Sequence, residues 1–512
     1  MRKPLGDVIA ALPNAAIVKG TPSPEAPITM LCYDSRRAVM DSLFFCLTGK
    51  IADGHRFAMG AYRQGCRAFI VEHIVEDLPD DAVQYAVPNS RTALADCAAA
   101  FYNHPEREMR LVGLTGTKGK TTSALLMQSL LTAAGIPTGY IGTNGIHFLD
   151  RRIETANSTP ESVEIYHHLR AMLDHGVTVC VMEVSSQALW MGRVRGLTFD
   201  TCLFTNLSPD HIGGVEHPDF EHYKACKRTL LTDYNASCIM VNADDPAAED
   251  MIEGINAPVV RLRLGNRPDA DWIADWRADD IRPVREAGRM GVSFTCTRHG
   301  QALEGHHFLP FPGRFNVQNA LCALAVACDR FGVEPAVALT ALASAVITGR
   351  FETIHHPALP HVSFIIDYAH NGASMAAILD ALREYNPRRL ICLFGSVGDR
   401  TFERRAQLAE AAAYRADLCI LTSDNPGRED PDAIIAEIDA AFPADACPRL
   451  CVPDREEAIR RVVELAEEGD VVLLAGKGHE RYQLVGIRRL PFCESDILLD
   501  AIGARAGSLM GS

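Results

Sequence analysis

Residues 116–122 are the part of this sequence whose residue types and spacing most clearly indicate chemistry. They combine glycines, lysines and hydroxyl groups in the order Gly116-Thr117-Lys118-Gly119-Lys120-Thr121-Thr122. The apolar strand LVGLTG leads into this turn, and the helix-forming stretch TTSALLMQSLLTAAG begins at its end. A glycine-rich turn between a strand and a helix is the setting of a P-loop.

A loop of this kind binds phosphate, because its backbone N–H groups and the helix N-terminus can cradle phosphate oxygens. Lys120 can reach the β- and γ-phosphates, and the hydroxyl of Thr121 can bind Mg²⁺. The loop is shorter than the standard P-loop, since position 114 is Leu. A glycine turn with a helix-capping threonine is the alternative interpretation. The segment predicts nucleotide binding but does not identify the reaction.

Two further residues follow apolar strands and could hold a metal ion. Glu183 ends the strand in VMEVSSQ, and His211 lies in TNLSPDHIGG after the next strand. A carboxylate and an imidazole beside a phosphate loop suit Mg²⁺ held between protein and nucleotide. Without the loop, each residue would more often be a solvated strand end or a loop histidine with a structural hydrogen bond.

A second group of polar residues follows strands in the last third of the chain. The strands VSFIIDYAH, LICLFGS, DLCILTSDN and VVLLAGKGHE alternate with helices such as SMAAILDALREY, which predicts an open α/β domain. Ligands of such sheets bind beyond the carboxyl ends of the strands. The polar clusters that follow these strands are residues 367–370, 399–400, 424–425 and 477–480.

The elements that must position these residues form three sections. The first hundred residues contain short strands and turns, and the section from LVGLTG onwards alternates strands with helices, which predicts a parallel sheet covered on both faces. The third section begins near ITGRFETI. A chain of 512 residues is too long for one core, so several domains are expected.

Composition and charge exclude some classes of function. The apolar fraction of 47% and the charged fraction of 22% are typical of globular proteins. The net charge of -15 argues against nucleic acid or an acidic membrane surface as partner. The 16 cysteines lack paired zinc-type spacing and favour thiols in a reducing compartment. With neither a signal peptide nor a membrane-spanning stretch predicted, we expect a cytoplasmic protein without membrane insertion.

Ten motifs in one order resemble the Mur ligases of bacterial cell-wall synthesis. They include GTKGKTT, MEVSSQAL, FTNLSPDH, HYKACKRTLL, GRFNVQNALCALA, ITGRFE, DYAH, DNPG and GKGHERYQ. The match extends from SRR near residue 35 to KGHERYQ near residue 483 and is most similar to the branch that adds the third residue of the stem peptide. A single short motif would be weak evidence, but an ordered set over nearly the whole chain is specific.

The resemblance implies an α/β protein of three domains. It implies a small N-terminal UDP-binding α/β domain over residues 1–106. A central ATP-binding domain with a P-loop ATPase-like parallel sheet would follow over 107–348. A C-terminal Rossmann-like domain over 349–512 would receive the amino acid. These boundaries agree with the three sections of the sequence.

The resemblance also implies the residues that bind ATP and Mg²⁺. Phosphate and metal would be bound by Lys120, Thr121, Glu183 and His211. A lysine carbamylated by CO₂ matches Lys227 in YKACKR, which the sequence alone would describe as a helix-surface lysine beside Lys224. The adenosine contacts would be Asn319, Arg350 and Asp367.

Substrate contacts follow from the same resemblance. The UDP-sugar side matches Ser35 and Arg36, and the sugar-peptide side matches Ser158, Thr159, Ser185 and Arg193. The family often has Gln where this chain has Met191. The acceptor amino acid would contact Arg400, Asp424, Asn425, Gly476 and Glu480.

The acceptor motif departs from one branch of the family. Members that add diaminopimelate read DNPR, whereas this chain has Gly427 in that place and Arg428 one residue later. A guanidinium–carboxylate pair depends on geometry, so Arg428 is not automatically equivalent. L-Lysine and meso-diaminopimelate both remain open, with a slight preference for an acceptor lacking the distal carboxylate.

The resemblance implies an ADP-forming ligase that activates the D-glutamyl carboxylate of UDP-MurNAc-L-Ala-D-Glu as an acyl phosphate. We expect a monomer whose partners are that UDP-dipeptide and an amino acid. The alternatives are a folylpolyglutamate synthetase, a ligase of a specialised pathway, and a nucleotide-binding scaffold without catalysis. Retention of Lys120, Glu183, His211 and Lys227 argues against the scaffold.

Overall fold

A computed structural model describes residues 1–49, 52–213, 216–265, 274–286, 289–399 and 402–510. The chain forms two compact units, the first mainly Met1–Arg263 with Cys322–Val333 and the second mainly Trp276–Leu321 with Glu334–Ser512. All 16 cysteines are free thiols, as the sequence predicts. Within the described ranges, no helix has the length and apolar character needed to cross a membrane.

The first part of unit 1 contains a small mixed sheet in the order β2-β7-β6-β5-β4. β2 is antiparallel to β7 and the other neighbours are parallel. Its elements are β1 (Lys3–Pro4), α1 (Leu5–Ile9), β2 (Ala16–Lys19), β3 (Pro27–Ile28), β4 (Met30–Cys32), β5 (Ser42–Phe45), α2 (Ala58–Arg63), β6 (Ala68–Val71), β7 (Val83–Ala86) and α3 (Ser90–Phe101).

The larger sheet of unit 1 contains the phosphate loop. Its strands follow the order β11-β10-β9-β12-β8-β13-β14-β15. From β9 to β15 in this order, each strand is parallel to the next. The elements are β8 (Arg110–Thr115), α4 (Lys120–Ala133), β9 (Thr138–Gly142), β10 (Gly145–Phe148), β11 (Arg151–Ile153), α5 (Ser162–Asp174), β12 (Val179–Glu183), α6 (Ser186–Trp190), β13 (Thr201–Phe204), α7 (Phe220–Thr232), β14 (Cys238–Asn242), α8 (Ala248–Ile252) and β15 (Val259–Leu264).

Unit 2 contains an antiparallel sheet β16-β17-β18 and a second mostly parallel sheet β19-β20-β24-β21-β22-β23. The elements of this stretch are β16 (Trp276–Glu286), β17 (Arg289–Arg298), β18 (Gln301–Leu309), α9 (Arg314–Ala325), α10 (Pro335–Ala343), β19 (Glu352–Ile354), β20 (Ser363–Asp367), α11 (Gly372–Arg383), β21 (Leu390–Phe394), α12 (Glu403–Ala413), β22 (Leu418–Leu421), α13 (Pro431–Ala440), β23 (Arg449–Cys451), α14 (Arg455–Leu465), β24 (Val471–Ala475), β25 (Tyr482–Val485), β26 (Arg488–Pro491) and α15 (Glu494–Met510).

The parallel strands are apolar because helices cover both faces of their sheets. Every residue of β12, β13, β20, β21 and β24 is buried. The predicted alternation of strands and helices is therefore confirmed in both units. Parallel neighbours also end at the same edge, so the residues after β8, β12 and β13 lie together. The candidate site of unit 1 is built at that edge.

Candidate functional site

The phosphate loop joins β8 to α4, as the sequence predicts, and its shape requires glycine. Gly116 has a φ of 144° and Gly119 has a φ of 83°, in the region that side chains disfavour. A Cβ at position 116 would lie 2.0 Å from Thr205 Oγ1. Lys120 is the first residue of α4, so the loop presents the start of a helix. The backbone is thus formed for close approach by a ligand.

The segment after β13 holds this loop in place. The backbone carbonyl of Asn206 accepts from Thr117 N at 2.8 Å. The side chain of Asn206 accepts from Lys118 N at 2.8 Å and donates to Lys118 O at 3.0 Å. Asn206 is absent from the residues that the sequence singled out, although its place after the neighbouring strand was a usable signal.

Two lysine side chains converge on one oxygen of the loop. Lys120 Nζ and Lys227 Nζ each donate to Gly116 O, both at 2.7 Å. Lys227 is 2% exposed, and its amine also lies 4.4 Å from the centre of the Tyr223 ring. Burial, followed by the nearby charge of Lys120, lowers the pKa of Lys227 well below its usual value. Both effects disfavour the ammonium form at this position.

Glu183 is buried at the carboxyl end of β12 and accepts several hydrogen bonds. Its oxygens accept hydrogen bonds from Thr121 Oγ1 at 3.0 Å, Tyr140 OH at 2.6 Å and Thr143 N at 2.9 Å. Thr121 belongs to the phosphate loop, so the structure joins these two predicted metal residues directly. Tyr140 and Thr143 were missed, because the sequence gives no signal that β9 ends beside Glu183. A carboxylate and a hydroxyl in contact are oxygen ligands of the kind Mg²⁺ prefers.

His211 lies in a loop with a φ of 57°, and its side chain is 55% exposed. Its Nδ1 is 3.0 Å from Glu216 Oε1. Its ring centre lies 6.3 Å from that of Tyr223, whose hydroxyl is 3.1 Å from Thr117 Oγ1. The structure thus places His211 near the phosphate loop through Tyr223, while its own hydrogen bond is to Glu216.

The predicted sugar-peptide residues form one hydrogen-bonded group beside Glu183. Thr159 Oγ1 donates to Glu183 O at 2.9 Å and accepts from Ser185 N at 3.0 Å. Ser158 Oγ is 2.9 Å from Thr143 Oγ1. The separate predictions at residues 158, 159 and 185 therefore converge on one place.

Arg193 belongs to the same group and is 7% exposed. It donates to Thr159 O and to Glu161 Oε1, both at 3.0 Å. Its third nitrogen lies 3.4 Å from the sulfur of Met191. Glu161 also accepts a hydrogen bond from Arg91, another residue that the sequence did not single out.

Ser35 and Arg36 lie in the turn after β4. Arg36 is exposed and pairs with Asp34 at 2.7 Å. In the same turn, Tyr33 OH donates to Glu164 at 2.7 Å, and Glu164 completes the capping box at the start of α5. The turn is thus fixed on the helix start that follows residues 158–161.

In unit 2, Asp367 and Arg350 form one site and Asn319 lies on α9. The carboxylate of Asp367 accepts from Phe351 N at 2.9 Å and Ala369 N at 2.8 Å. Burial raises the pKa of Asp367, while the charge of Arg350 opposes that effect. Arg350 stacks over Tyr368 at 4.9 Å, and its Nε is buried with no hydrogen-bond partner among the described residues. Asn319 donates to Asn316 at 3.1 Å.

The predicted acceptor residues lie at the ends of β22 and β24, around a buried lysine. Lys477 Nζ donates to Asn425 Oδ1 and Glu480 Oε2, both at 3.0 Å, and lies 3.7 Å from Asp424 Oδ1. Gly476 has a φ of 112°, and a Cβ there would lie 2.7 Å from Asp424. Lys477 stands in a polar cluster of the sequence but was not selected as a site residue. Arg400 falls outside the described residues.

Gly427 adopts a φ of 60°, and a Cβ there would lie 2.7 Å from Asp399 Oδ2. The same carboxylate oxygen accepts from Arg428 N at 3.2 Å. Gly427 N donates to Leu484 O at 3.1 Å, so the turn is tied to β25. The glycine therefore fits the local backbone, and the side chain of Arg428 is exposed.

Comparison with known domain families gives three matches in order along the chain. The Mur ligase family catalytic domain matches residues 27–102, and the Mur ligase middle domain matches residues 114–327. The Mur ligase glutamate ligase domain matches residues 349–478.

Relatives and solved structures agree with these matches. A UDP-N-acetylmuramoyl-L-alanyl-D-glutamate–2,6-diaminopimelate ligase of Geobacillus kaustophilus is 37% identical over 93% of this chain and 95% of its own. The enzyme of that name from Chlorobaculum tepidum is 38% identical over 94% and 93%. A solved structure of a ligase with this name has a TM-score of 0.67 at 26% identity and covers 99% of both chains. A folylpolyglutamate synthase of Mycobacterium tuberculosis has a TM-score of 0.60 at 17% identity, covers 81% of this chain and 94% of its own, and shares the fold.

Proposed function

The chain belongs to the Mur ligase family, and from that premise we propose that it joins an amino acid to UDP-MurNAc-L-Ala-D-Glu with ATP as the energy source. The D-glutamyl carboxylate oxygen attacks the γ-phosphorus, and ADP leaves. The acceptor amine then attacks the acyl carbon of the acyl phosphate, a proton is lost and inorganic phosphate leaves. The reaction belongs to peptidoglycan precursor synthesis, and we place it in the cytoplasm with a monomeric enzyme.

The proposal rests on the convergence of Lys120 and Lys227 at Gly116 O, next to the Thr121–Glu183 contact. The amine of Lys120 is suited to an anion, because a phosphate oxygen can take over its hydrogen bond. Lys120 then stabilises the charge that develops as the phosphoryl group is transferred. Exclusion of water protects the acyl phosphate from hydrolysis.

The residues around Glu183 fit Mg²⁺, since a buried carboxylate and the Thr121 hydroxyl are both hard oxygen ligands. When bound, the ion would neutralise charge on the phosphates. We assign Glu183, Thr121, His211 and Lys227 as the residues that hold it. Lys227 requires a change of charge for this role.

We propose that Lys227 is carbamylated. Burial lowers the pKa of its amine, and the amine in its neutral form can attack the carbon of CO₂, forming an N–C bond and releasing a proton. The product is an anionic oxygen ligand where the sequence has a cation. A sample equilibrated with isotopically labelled CO₂ should give a carbamate NMR signal that is absent from Lys227→Met.

The remaining assignments follow the family matches. We propose domain boundaries of 1–106, 107–348 and 349–512. Ser35 and Arg36 bind the UDP-sugar, and residues 158, 159, 185 and 193 bind the sugar-peptide. Asn319, Arg350 and Asp367 bind adenosine. The acceptor amino acid is bound by Arg400, Asp424, Asn425, Gly476 and Glu480.

We propose meso-diaminopimelate as the acceptor, because the relatives are named for that substrate. This departs from the slight preference that the sequence alone suggests. Arg428 is exposed, and Asp399 holds its backbone, so a guanidinium is available beside Gly427. L-Lysine remains the alternative acceptor.

The test is ADP release with UDP-MurNAc-L-Ala-D-Glu and a panel of amino acids. Release should depend on both the UDP-dipeptide and a diamino acid, with meso-diaminopimelate preferred over L-lysine. Release with a folate and glutamate instead would support the folylpolyglutamate synthetase alternative. ADP release independent of any amino acid would contradict ligation.

A further inference from the structure

Helix α7 presents a second group of metal-binding side chains next to Lys227. His222 and Cys226 lie one helical turn apart on α7, and His217 precedes the helix. One ligand atom from each of the three lies within 4.8 Å of the others. His217 and Cys226 are buried and His222 is half-buried, which leaves a route for an ion to enter.

The distances resemble the edges of a tetrahedral site. His217 Nδ1 lies 2.9 Å from His222 Nδ1, and Cys226 Sγ lies 3.7 Å from that same nitrogen. Ion–ligand bonds to zinc of about 2.0–2.1 Å for nitrogen and 2.3 Å for sulfur imply edges of about 3.3 Å and 3.6 Å. The two Nδ1 atoms would need to move apart by a few tenths of an ångström for an ion to replace the proton between them.

A neighbouring hydroxyl orients one of the ligands. His217 Nε2 is 2.9 Å from Ser186 Oγ. If that nitrogen has the proton and donates to Ser186, Nδ1 keeps its lone pair toward His222. A histidine ligand usually has such a partner on its other ring nitrogen, which fixes its tautomer.

A second cluster of the right residue types lacks this arrangement. Asp53, His55 and His73 also bring ligand atoms within reach of one another. There, both nitrogens of His55 are occupied, since Nδ1 contacts Asp53 at 2.6 Å and Nε2 accepts from Glu72 N at 3.0 Å. His55 thus has no lone pair to offer, which makes that cluster a useful control.

We propose that His217, His222 and Cys226 bind a zinc-class divalent ion with Ser186 as the orienting residue. A thiolate with two imidazoles selects a borderline-soft ion, whereas the Mg²⁺ of the nucleotide site prefers oxygen. Binding releases the thiol proton of Cys226. It also links His217, which precedes α7, to the helix that contains Lys227. The site is separate from the proposed reaction and would exist in a ligase with any acceptor.

Co²⁺ titration of the full chain tests this proposal. One equivalent should produce a thiolate-to-cobalt charge-transfer band and tetrahedral visible absorption, and Zn²⁺ should displace it. Trp190 reports independently, because its ring lies 5.7 Å from His217 and 5.1 Å from His222, so bound Co²⁺ should quench it. No thiolate band in the wild-type chain would overturn the proposal, whatever the variants do.

Variants then locate the site. Cys226→Ser should remove the thiolate band. Ser186→Ala should lower the affinity for Co²⁺ by about 10- to 100-fold. His222→Asn should lower it at least as much. Cys451→Ser and His73→Asn are the matched controls and should bind like wild type. If Cys451→Ser or His73→Asn abolishes the band instead, the ion is bound elsewhere and the assignment is wrong.

Discussion

A buried lysine contacts the phosphate loop and another lies in the acceptor region, but the two lysines have different partners. Lys227 donates to a neutral carbonyl oxygen, and burial, followed by the nearby charge of Lys120, disfavours its ammonium form. Lys477 instead has Glu480 at 3.0 Å and Asp424 at 3.7 Å. Burying an ammonium is expensive unless a carboxylate compensates it.

The difference corresponds to the ligands that we propose for each place. A region where a lysine ammonium donates to a backbone carbonyl oxygen is suited to receive anionic phosphates. A region where a lysine is neutralised by two carboxylates is suited to an amino acid that has both charges. The same replacement, lysine by methionine, should therefore lower the free energy of unfolding far more in the acceptor region than at the phosphate loop.

Lys477→Met should produce the largest effect. It leaves the buried Asp424 and the half-buried Glu480 without their cation, and removing one member of a buried ion pair costs about 3–5 kcal/mol. Denaturant unfolding should show this loss for the transition of unit 2. Arg460→Met is the control, because Arg460 pairs with Glu456 on an exposed helix face and should cost under about 1 kcal/mol. Equal losses in both variants would contradict the contrast.

Lys120→Ala should lower kcat by about 100- to 1000-fold, comparable to removing one preorganised donor from a transition state. The measurement is ADP release with saturating UDP-dipeptide and amino acid. Lys224→Ala is the matched control, since the amine of Lys224 pairs with Asp250. Coupled ligation that survives unchanged in Lys120→Ala would remove the phosphate loop from the mechanism.

Lys227→Met should separate activity from stability. Activity should fall by about 100-fold, the lower end for loss of one charged group in the site. The free energy of unfolding should change by less than about 1 kcal/mol, because methionine fills a similar volume and Lys120 still donates to Gly116 O. A loss as large as that of Lys477→Met would show that Lys227 is a structural cation.

Arg428→Ala should have the smallest effect. We expect KM for meso-diaminopimelate to rise by about 5-fold and KM for L-lysine to stay unchanged, because one exposed guanidinium–carboxylate contact is worth about 1 kcal/mol. Parallel KM measurements with the two acceptors decide it. A similar rise for both would assign Arg428 to the common part of the acceptor.

The sequence predicted the frame of the phosphate loop because strand, glycine turn and helix are local patterns. It placed Glu183 at a strand end for the same reason. It could not derive the burial of Lys227, since helix α7 is polar enough to expose a lysine and the contact with Gly116 O spans 111 residues. Only the family resemblance singled that residue out.

Partners supplied by neighbouring strands were harder still. Tyr140, Thr143 and Asn206 reach the site through the sheet order β9-β12-β8-β13, which no local pattern encodes. Lys477 was visible in a polar cluster, but its partners Asp424 and Asn425 lie about fifty residues away. Sequence patterns thus found the strand ends, while tertiary contacts decided which side chains meet there.

The turn at Gly427 limits how the acceptor preference of this enzyme can be redesigned. Gly427→Arg would restore the DNPR spelling, but its Cβ would collide with Asp399 Oδ2, and an arginine at φ 60° adds about 1–2 kcal/mol of backbone strain. Asp399 would have to yield, and with it the hydrogen bond to Arg428. Gly427 and Asp399 would therefore have to be substituted together. A library of single substitutions would not contain that pair.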